Sequence, residues 1–199
     1  MIPKDHTGEI KLKKVDQLEL NQGFLSILYW FFAYPEVKIT LTELSKKLGI
    51  SKKTASRIVT DLAKENFLIV EPIGKSWRIH CNIQHRYNRM YKIGHNISLV
   101  YSSGIIAEIY RLIGNPKAVI LFGSYRKGDD MGTSDLDIAV EVLGNEDLRI
   151  IHLGTLPQLG FRKNVQVNLH IFSRNKIDLN LFANIANGVI LDGFLEVKP

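Results

Sequence analysis

The sequence contains a single cysteine, Cys81, and it has no long apolar run. One cysteine cannot form an internal disulfide and excludes a metal site built from several cysteines. The longest nearly apolar stretch, residues 24–34, is about half of the roughly 20 residues that a membrane span requires. The first residues lack the apolar core of a signal peptide. We therefore expect a cytoplasmic protein with no membrane attachment.

The second half of the sequence has no excess of positive charge, although the whole chain has a net charge of +6. Residues 1–98 contain 16 Lys and Arg against 9 Asp and Glu, whereas residues 99–199 contain 10 against 11. The hydrophobic content of 45% is ordinary for a globular protein, so we do not expect a disordered chain. The charge distribution indicates that only the first half meets a polyanion such as nucleic acid.

The first half has the pattern of three short helices followed by a β-hairpin. Apolar spacing predicts a helix over residues 17–34, where Pro35 ends it, and further helices over 41–48 and 52–65. Ser51 is placed to cap the third helix, with Ala55, Ile58, Val59 and Leu62 on its inward face. Strands are predicted over 67–71 and 76–81, and residues 1–16 are expected to form a loosely held arm.

This order of elements resembles a winged helix-turn-helix, over about residues 20–82. The resemblance implies that the third helix enters the major groove of double-stranded DNA and that the hairpin touches the backbone. A helical packing domain with a solvated basic face and a protein-interaction module are the alternatives. The candidate DNA contacts are Lys52, Lys53, Thr54, Ser56, Arg57, Lys75 and Arg78.

The second half alternates predicted helices and strands. We predict helices over residues 97–113, 146–156 and 176–186, and strands over 118–122, 136–142 and 165–172. With a domain boundary between residues 83 and 96, the chain divides into residues 17–85 and residues 97–199. The predicted fold class is α+β, with a mixed sheet in the second domain.

The most informative motif lies between the first two predicted strands of this second domain. The first strand leads into Gly123-Ser124, and ten residues later Asp135-Leu136-Asp137 opens the next strand. Gly123 allows close approach of the backbone to a triphosphate, and Ser124 offers a hydroxyl at the start of a short helix. Asp135 and Asp137 lie two apart on a strand, so both carboxylates project from one face and suit Mg²⁺ held jointly with phosphates.

This motif resembles that of the nucleotidyltransferases of the DNA polymerase β superfamily, and the short second domain is most similar to the minimal nucleotidyltransferases. The resemblance implies that Ser124 contacts phosphate and that Asp135 and Asp137 bind the catalytic Mg²⁺. Arg126 and Lys127 are further candidates for binding the nucleotide, which we expect to be ATP. A glycine turn with two exposed aspartates on an edge strand is the alternative interpretation.

A third carboxylate, which the superfamily places on a later strand and often uses as the general base, has no match here. Asn168 occupies the corresponding position, and a neutral amide cannot deprotonate a hydroxyl. Glu141 shares the face of Asp137 but lies roughly 13 Å along the strand, too far to share the same metal. His170 points to the side of Asn168 and is either a base or an ordinary strand residue.

The resemblance to minimal nucleotidyltransferases implies a regulator of the toxin–antitoxin kind. Such proteins act beside HEPN-type toxins, and some transfer AMP from ATP to a hydroxyl of the toxin. A winged helix would then bind DNA, with a homodimer on a symmetric site. The alternatives are a non-catalytic transcription regulator whose second domain senses nucleotide or dimerises, and a transferase that modifies a small molecule.

Overall fold

The structure is a computed structural model, and it describes residues 22–197. The predicted arm, residues 1–16, and the first residues of the predicted helix over 17–34 lie outside the described residues. Residues 22–197 form seven helices and eight strands in two sheets. The first six elements are α1 (Gln22–Ala33), β1 (Ile39–Thr40), α2 (Leu41–Leu48), α3 (Lys52–Lys64), β2 (Leu68–Ile73) and β3 (Ser76–Cys81).

These six elements pack around one apolar core. The strands form an antiparallel sheet in the order β1-β3-β2, and α1, α2 and α3 pack against each other. The predicted inward face of α3 is confirmed, because Ala55, Ile58, Val59 and Leu62 are all buried. Ser51 caps α3 as predicted, with its side chain accepting a hydrogen bond from the Thr54 amide.

Two helices follow where one helix and a linker were predicted. α4 (Tyr87–Ser102) runs through most of the predicted boundary region, and α5 (Ile105–Ile113) begins after a break at Gly104, whose φ is +78°. The buried positions of α4 include Asn88, Lys92 and Asn96 at four-residue spacing. Because these residues are polar, apolar periodicity could not reveal the start of α4. The predicted division into two domains stays a prediction.

The remaining elements form the second sheet and its flanking helices. The strand order is β6-β7-β5-β4-β8, and the pair β5–β7 is parallel whereas the other three pairs are antiparallel. The predicted mixed sheet is therefore confirmed. The elements are β4 (Ala118–Leu121), α6 (Gly123–Lys127), β5 (Leu136–Glu141), β6 (Arg149–Leu159), β7 (Arg162–Phe172), α7 (Leu179–Ala186) and β8 (Val189–Gly193).

The helix predicted over residues 146–156 is wrong, since residues 149–156 belong to strand β6 and residues 146–148 precede it without regular structure. β6 is an edge strand that pairs with β7 along nearly its whole length. A turn at Gly160-Phe161 connects the two strands. Pro157 is tolerated in β6 because an edge strand does not require the N–H that proline lacks. The apolar residues of this segment are spaced as in a helix, but the segment forms a strand because it pairs with the buried strand β7.

The two faces of the second sheet pack against different helices. Ile109 of α5 packs with Leu136, Ile138 and Val140 of β5, as predicted for the inward residues of that strand. On the other face, Ala118, Ile120, Ala139 and Phe172 pack with Ile185 of α7. Asp137 shares this second face with Ala139. It lies near the start of β5, close to α6.

The N-terminal elements contact α4 and the loops of the second sheet. The Tyr34 hydroxyl donates to the Phe161 carbonyl at 2.8 Å, and the Gly132 amide donates to the Glu36 carboxylate at 3.1 Å. The rings of Tyr29 and His95 stack with 3.7 Å between their centroids. Within the described part of the chain, no helix has both the length and the apolar character that crossing a bilayer requires.

Candidate active site

Two carboxylates and one amide converge at the start of β5. Asp135 directly precedes this strand and Asp137 lies in it, while Asn168 of β7 is the register partner of Asp137. The Asn168 side-chain nitrogen, Nδ2, lies 3.4 Å from Asp135 Oδ2 and 3.4 Å from Asp137 Oδ1. The two aspartates therefore face one common point, as their spacing predicted, and Asn168 stands between them on the neighbouring strand.

Gly123 lies against this acidic pair. Its φ is +71°, a conformation that other L-residues rarely adopt. A Cβ at this position would lie only 2.9 Å from Asp137 Oδ2. Glycine is therefore required both by the backbone conformation and by the close approach to the carboxylate. The predicted role of Gly123 and Ser124 in holding phosphate stays a prediction.

Among the described residues, the acidic pair has no strongly basic partner. Within residues 22–197, neither Asp135 nor Asp137 forms an ion pair with a Lys or Arg side chain. The nearest titratable base is His170, whose Nε2 lies 3.5 Å from Asp137 Oδ1. Two neighbouring carboxylates without a compensating cation repel each other, and this repulsion favours binding of a divalent cation.

The donor set fits Mg²⁺ as two carboxylates and one amide. The described residues contain no group of three or more His, Cys, Asp and Glu side chains arranged for a metal. Asn168 turns its Nδ2 toward the carboxylates, and rotation of the amide by 180° would instead present its carbonyl oxygen to a cation. Oxygen atoms are the ligands that Mg²⁺ prefers, so the set is chemically suitable.

His170 is held in one orientation by its neighbours. Its ring packs edge-to-face against Phe122, with 4.9 Å between the ring centroids. Its Nδ1 is buried and has no hydrogen-bond partner among the described residues. Nε2 is therefore the ring atom that faces Asp137.

Glu141 has a different role from the two aspartates. It is buried, and the Arg174 guanidinium donates two hydrogen bonds of 3.0 Å to its carboxylate. Lys117 Nζ lies a further 3.7 Å from the same carboxylate. These partners occupy Glu141, in agreement with the expectation that it does not share a metal with Asp137.

A buried polar network holds the loop that leads to Asp135, and sequence patterns did not predict it. Lys92 of α4 donates to the Asp130 carbonyl at 2.5 Å and lies 3.3 Å from the Asp130 carboxylate. Asn96 donates to the same carboxylate at 2.8 Å and to the Tyr125 carbonyl at 3.0 Å. Desolvation raises the pKa of Asp130 and lowers that of Lys92, since burial disfavours both charges.

Arg162 of β7 extends this network to the end of the same loop. Its guanidinium donates to the Tyr125 hydroxyl and to the Ser134 carbonyl. Ser134 immediately precedes Asp135, so the position of that carboxylate depends on residues from α4 and β7. The only sequence signal for this network is the polar spacing of Asn88, Lys92 and Asn96.

The predicted DNA contacts lie around the start of α3 and the β2–β3 hairpin. Lys52, Lys53, Arg57, Lys75 and Arg78 are exposed. Lys52 and Lys75 line one cleft of about 370 Å³ between α2, α3 and the hairpin. The structure therefore brings the cations of both elements to one side.

Two of the predicted contacts, Thr54 and Arg78, also have side-chain partners within the protein. Thr54 and Ser56 are half-buried, and the Thr54 hydroxyl lies 2.8 Å from that of Ser51. Arg78 lies 3.9 Å from the Glu71 carboxylate, a separation typical of a weak exposed pair. The DNA-binding role of the whole set stays a prediction.

Comparison with known families addresses the second sheet. Residues 105–192 match the family model described as Polymerase beta, Nucleotidyltransferase. This stretch is a polymerase-β-like nucleotidyltransferase domain. No curated protein matches the chain.

The nucleotidyltransferase domain includes every residue of the site described above. It extends from α5 to β8 and contains Gly123, Ser124, Asp135, Asp137 and Asn168. Domains of this family generally use Mg²⁺ with nucleoside triphosphates, and nucleotidyl transfer is their general chemistry. α1 to α4 lie outside the matched residues.

Proposed function

We propose that this protein is a DNA-binding regulator whose nucleotidyltransferase domain binds a magnesium–nucleoside triphosphate and transfers a nucleotidyl group. The observation that carries the proposal is the convergence of Asp135 and Asp137 on one point beside Gly123. In this assignment the two aspartates hold the cation, and Ser124, Arg126 and Lys127 bind the triphosphate. Arg126 and Lys127 form no ion pair within residues 22–197, so their charge is free to offset that of phosphate.

The proposed reaction is transfer of AMP from ATP to a protein hydroxyl. The hydroxyl oxygen bonds to the α-phosphorus, the bond from that phosphorus to the bridging oxygen breaks, and pyrophosphate leaves. A bound Mg²⁺ would neutralise the phosphate charge and help align this in-line attack. We assign the role of base to His170, because it is the imidazole beside the acidic pair, with its Nε2 3.5 Å from Asp137 Oδ1.

The acceptor that we propose is a HEPN-type partner protein. This step rests on analogy with minimal nucleotidyltransferases. The cytoplasmic setting that we propose rests on the single cysteine and on the composition of the first residues. The chain itself contributes the transfer site and a separate basic surface on α3.

Transfer can be tested with ATP labelled at the α-phosphate, Mg²⁺ and candidate acceptor proteins, including the product of the neighbouring gene. Wild-type protein should label one acceptor, and Asp137→Ala should abolish the labelling. Asp147→Ala is a matched control, because Asp147 is exposed and its nearest basic partner is Lys176 at 3.6 Å. Equal labelling by wild type and Asp137→Ala would remove the aspartates from the reaction.

A second function is favoured by the amide at position 168. With Asn168 in place of a third carboxylate, the domain can bind nucleotide without turning it over, and it would then act as a sensor or a dimerisation unit of a transcription regulator. This second function would be supported if ATP bound saturably, if the binding required Asp137, and if no label were transferred to any acceptor.

The DNA-binding part of the proposal assigns α1 to β3 to a winged helix-turn-helix. It is supported by the order of the elements, by the buried inner face of α3 and by the exposed cations at its start. α3 would lie in the major groove of double-stranded DNA, with the β2–β3 hairpin against the backbone. A homodimer would place two such units on a symmetric DNA site.

A further inference from the structure

A cleft of about 260 Å³ lies between α6 and α7, next to Gly123. We call it the α6–α7 cleft, and it is lined by Phe122, Gly123, Arg126, Lys127, Leu181, Asn184 and Asn187. Binding sites for drug-sized ligands usually measure about 300–1,000 Å³, so this volume suits one part of a nucleotide better than a whole one. Gly123 lines this cleft and also lies against Asp137, so the cleft is next to the acidic pair.

The two asparagines on α7 expose oxygen atoms. Asn184 Nδ2 donates to the Asn180 carbonyl at 3.1 Å, and Asn187 Nδ2 donates to the Ala183 carbonyl at 2.8 Å. A carbonyl oxygen can only accept a hydrogen bond, so each amide nitrogen must face the helix backbone. The side-chain oxygens of Asn184 and Asn187 are therefore left to accept hydrogen bonds from a ligand.

The other residues that line the cleft suit the phosphates and the flat face of a base. α6 contributes Arg126 and Lys127, which suit phosphate, whereas Phe122 and Leu181 contribute apolar surface that suits the flat face of a base. A nucleotide with its phosphates beside α6 would direct its base toward the two oxygen acceptors on α7.

We propose that the α6–α7 cleft is the nucleoside subsite of the nucleotidyltransferase domain and that Asn184 and Asn187 select a base with an exocyclic amine, such as adenine. The amine donates hydrogen bonds, and the oxygens of the two asparagines accept them. Hypoxanthine has a carbonyl oxygen in place of the adenine amine, so two acceptors would face each other without a hydrogen bond. This proposal rests on the proposed function, because it assumes a triphosphate at Ser124, Arg126 and Lys127.

The test compares the binding of three ligands to the full chain by titration calorimetry with Mg²⁺. The ligands are a non-hydrolysable analogue of ATP, the matching analogue of inosine triphosphate, and tripolyphosphate, which has no nucleoside. Wild type should bind the ATP analogue about tenfold more tightly than the inosine analogue, the difference expected from one well-formed hydrogen bond. The double variant Asn184→Ala with Asn187→Ala should lose this preference and keep its affinity for tripolyphosphate.

The controls separate the subsite from the triphosphate site. Both asparagines are exposed, so the double variant should fold, and an unchanged circular dichroism spectrum verifies this. Asn175→Ala, on an exposed residue outside the cleft, should retain the preference. Equal binding of both analogues by wild type, or a preference that survives in the double variant, overturns the subsite alone. Absence of tripolyphosphate binding to wild type overturns the proposed function together with the subsite.

Discussion

Because Asn168 is neutral, the negative charge of the acidic site comes from the carboxylates of Asp135 and Asp137 alone. The Asn168 Nδ2 lies 3.4 Å from an oxygen of each aspartate, and the side chain contributes a neutral amide beside the two carboxylates. The number of charged ligands strongly affects the affinity of oxygen-based cation sites. Position 168 is therefore the residue at which metal affinity can be altered most directly.

We predict that Asn168→Asp raises the affinity for Mn²⁺, used as a probe for Mg²⁺, by about tenfold. Without metal, the same variant should melt at a lower temperature than wild type, because three neighbouring carboxylates repel one another. Titration calorimetry and thermal melts with and without metal measure both effects. Asn168→Ala, which removes the amide without adding charge, is the control, and equal Mn²⁺ affinity in all three proteins would contradict the assignment of the site.

Helix α4 supports the site through a buried ion pair. Lys92 and Asp130 are 1% and 2% exposed in their side chains, and Asp130 lies in the loop that precedes Asp135. Removing one member of a buried pair leaves the other charge without compensation. The effects of mutating Lys92 and Asp130 on the free energy of unfolding should therefore depend strongly on each other.

We predict that Lys92→Met lowers the free energy of unfolding by about 3–5 kcal/mol. The double variant Lys92→Met with Asp130→Asn should recover part of this loss, since no unpaired charge remains. Urea denaturation of the four proteins of the cycle gives the coupling energy. Strictly additive losses would mean that the two side chains do not act as a pair.

Helix α3 carries the surface proposed for DNA. Lys53 and Arg57 are exposed near its start, and neither takes part in the apolar core. We predict that Lys53→Ala with Arg57→Ala weakens binding to DNA by at least about tenfold at moderate salt and reduces its salt dependence. Lys64→Ala at the other end of α3 should have little effect, and fluorescence anisotropy measures all three. Unchanged affinity in the double variant would rule out α3 as the recognition helix.

The elements differ in how far the sequence could predict them. α3 was predictable, because Ser51 caps it and its buried residues are apolar. The Asp135–Asp137 pair was predictable, because the two-residue repeat of a strand fixes which side chains share a face. The first turns of α4 were not, since its buried positions Asn88, Lys92 and Asn96 are polar and depend on partners such as Asp130.

The arrangement of the active-site surroundings depended on contacts between distant parts of the chain. β6 was mistaken for a helix because its strand form depends on pairing with β7. Gly123 lies close to Asp137 because β4 pairs with β5, and local sequence patterns do not reveal this pairing. Local patterns therefore predicted that Asp135 and Asp137 share a face, whereas long-range contacts decided what surrounds them.

The whole molecule should lose stability in mild acid through His95. This residue stacks on Tyr29 of α1, and burial together with the neighbouring Lys92 lowers its pKa from 6.5 to about 4. In the unfolded chain the imidazole gains a proton below about pH 6.5, whereas in the folded protein it stays neutral down to about pH 4. The unfolded state therefore binds more protons in this range, and stability falls as the pH decreases through it.

We predict that His95→Phe, which retains an aromatic ring beside Tyr29, loses less stability than wild type between pH 7 and pH 5. Urea denaturation at several pH values measures the two slopes. His152→Phe, at an exposed position, should retain the wild-type slope. Identical slopes for wild type and His95→Phe would show that His95 does not titrate differently on unfolding.

The loop from Gly128 to Ser134 is held by Arg162 and by three groups that precede the stretch matching the nucleotidyltransferase family. Glu36 accepts a hydrogen bond from Gly132, and Lys92 and Asn96 contact Asp130, whereas the match begins at residue 105. A fragment cut at that residue would expose a carboxyl group that the intact protein encloses, and it would release the segment before Asp135. The stretch that matches the family therefore depends on residues 36, 92 and 96 to hold the loop that leads to Asp135.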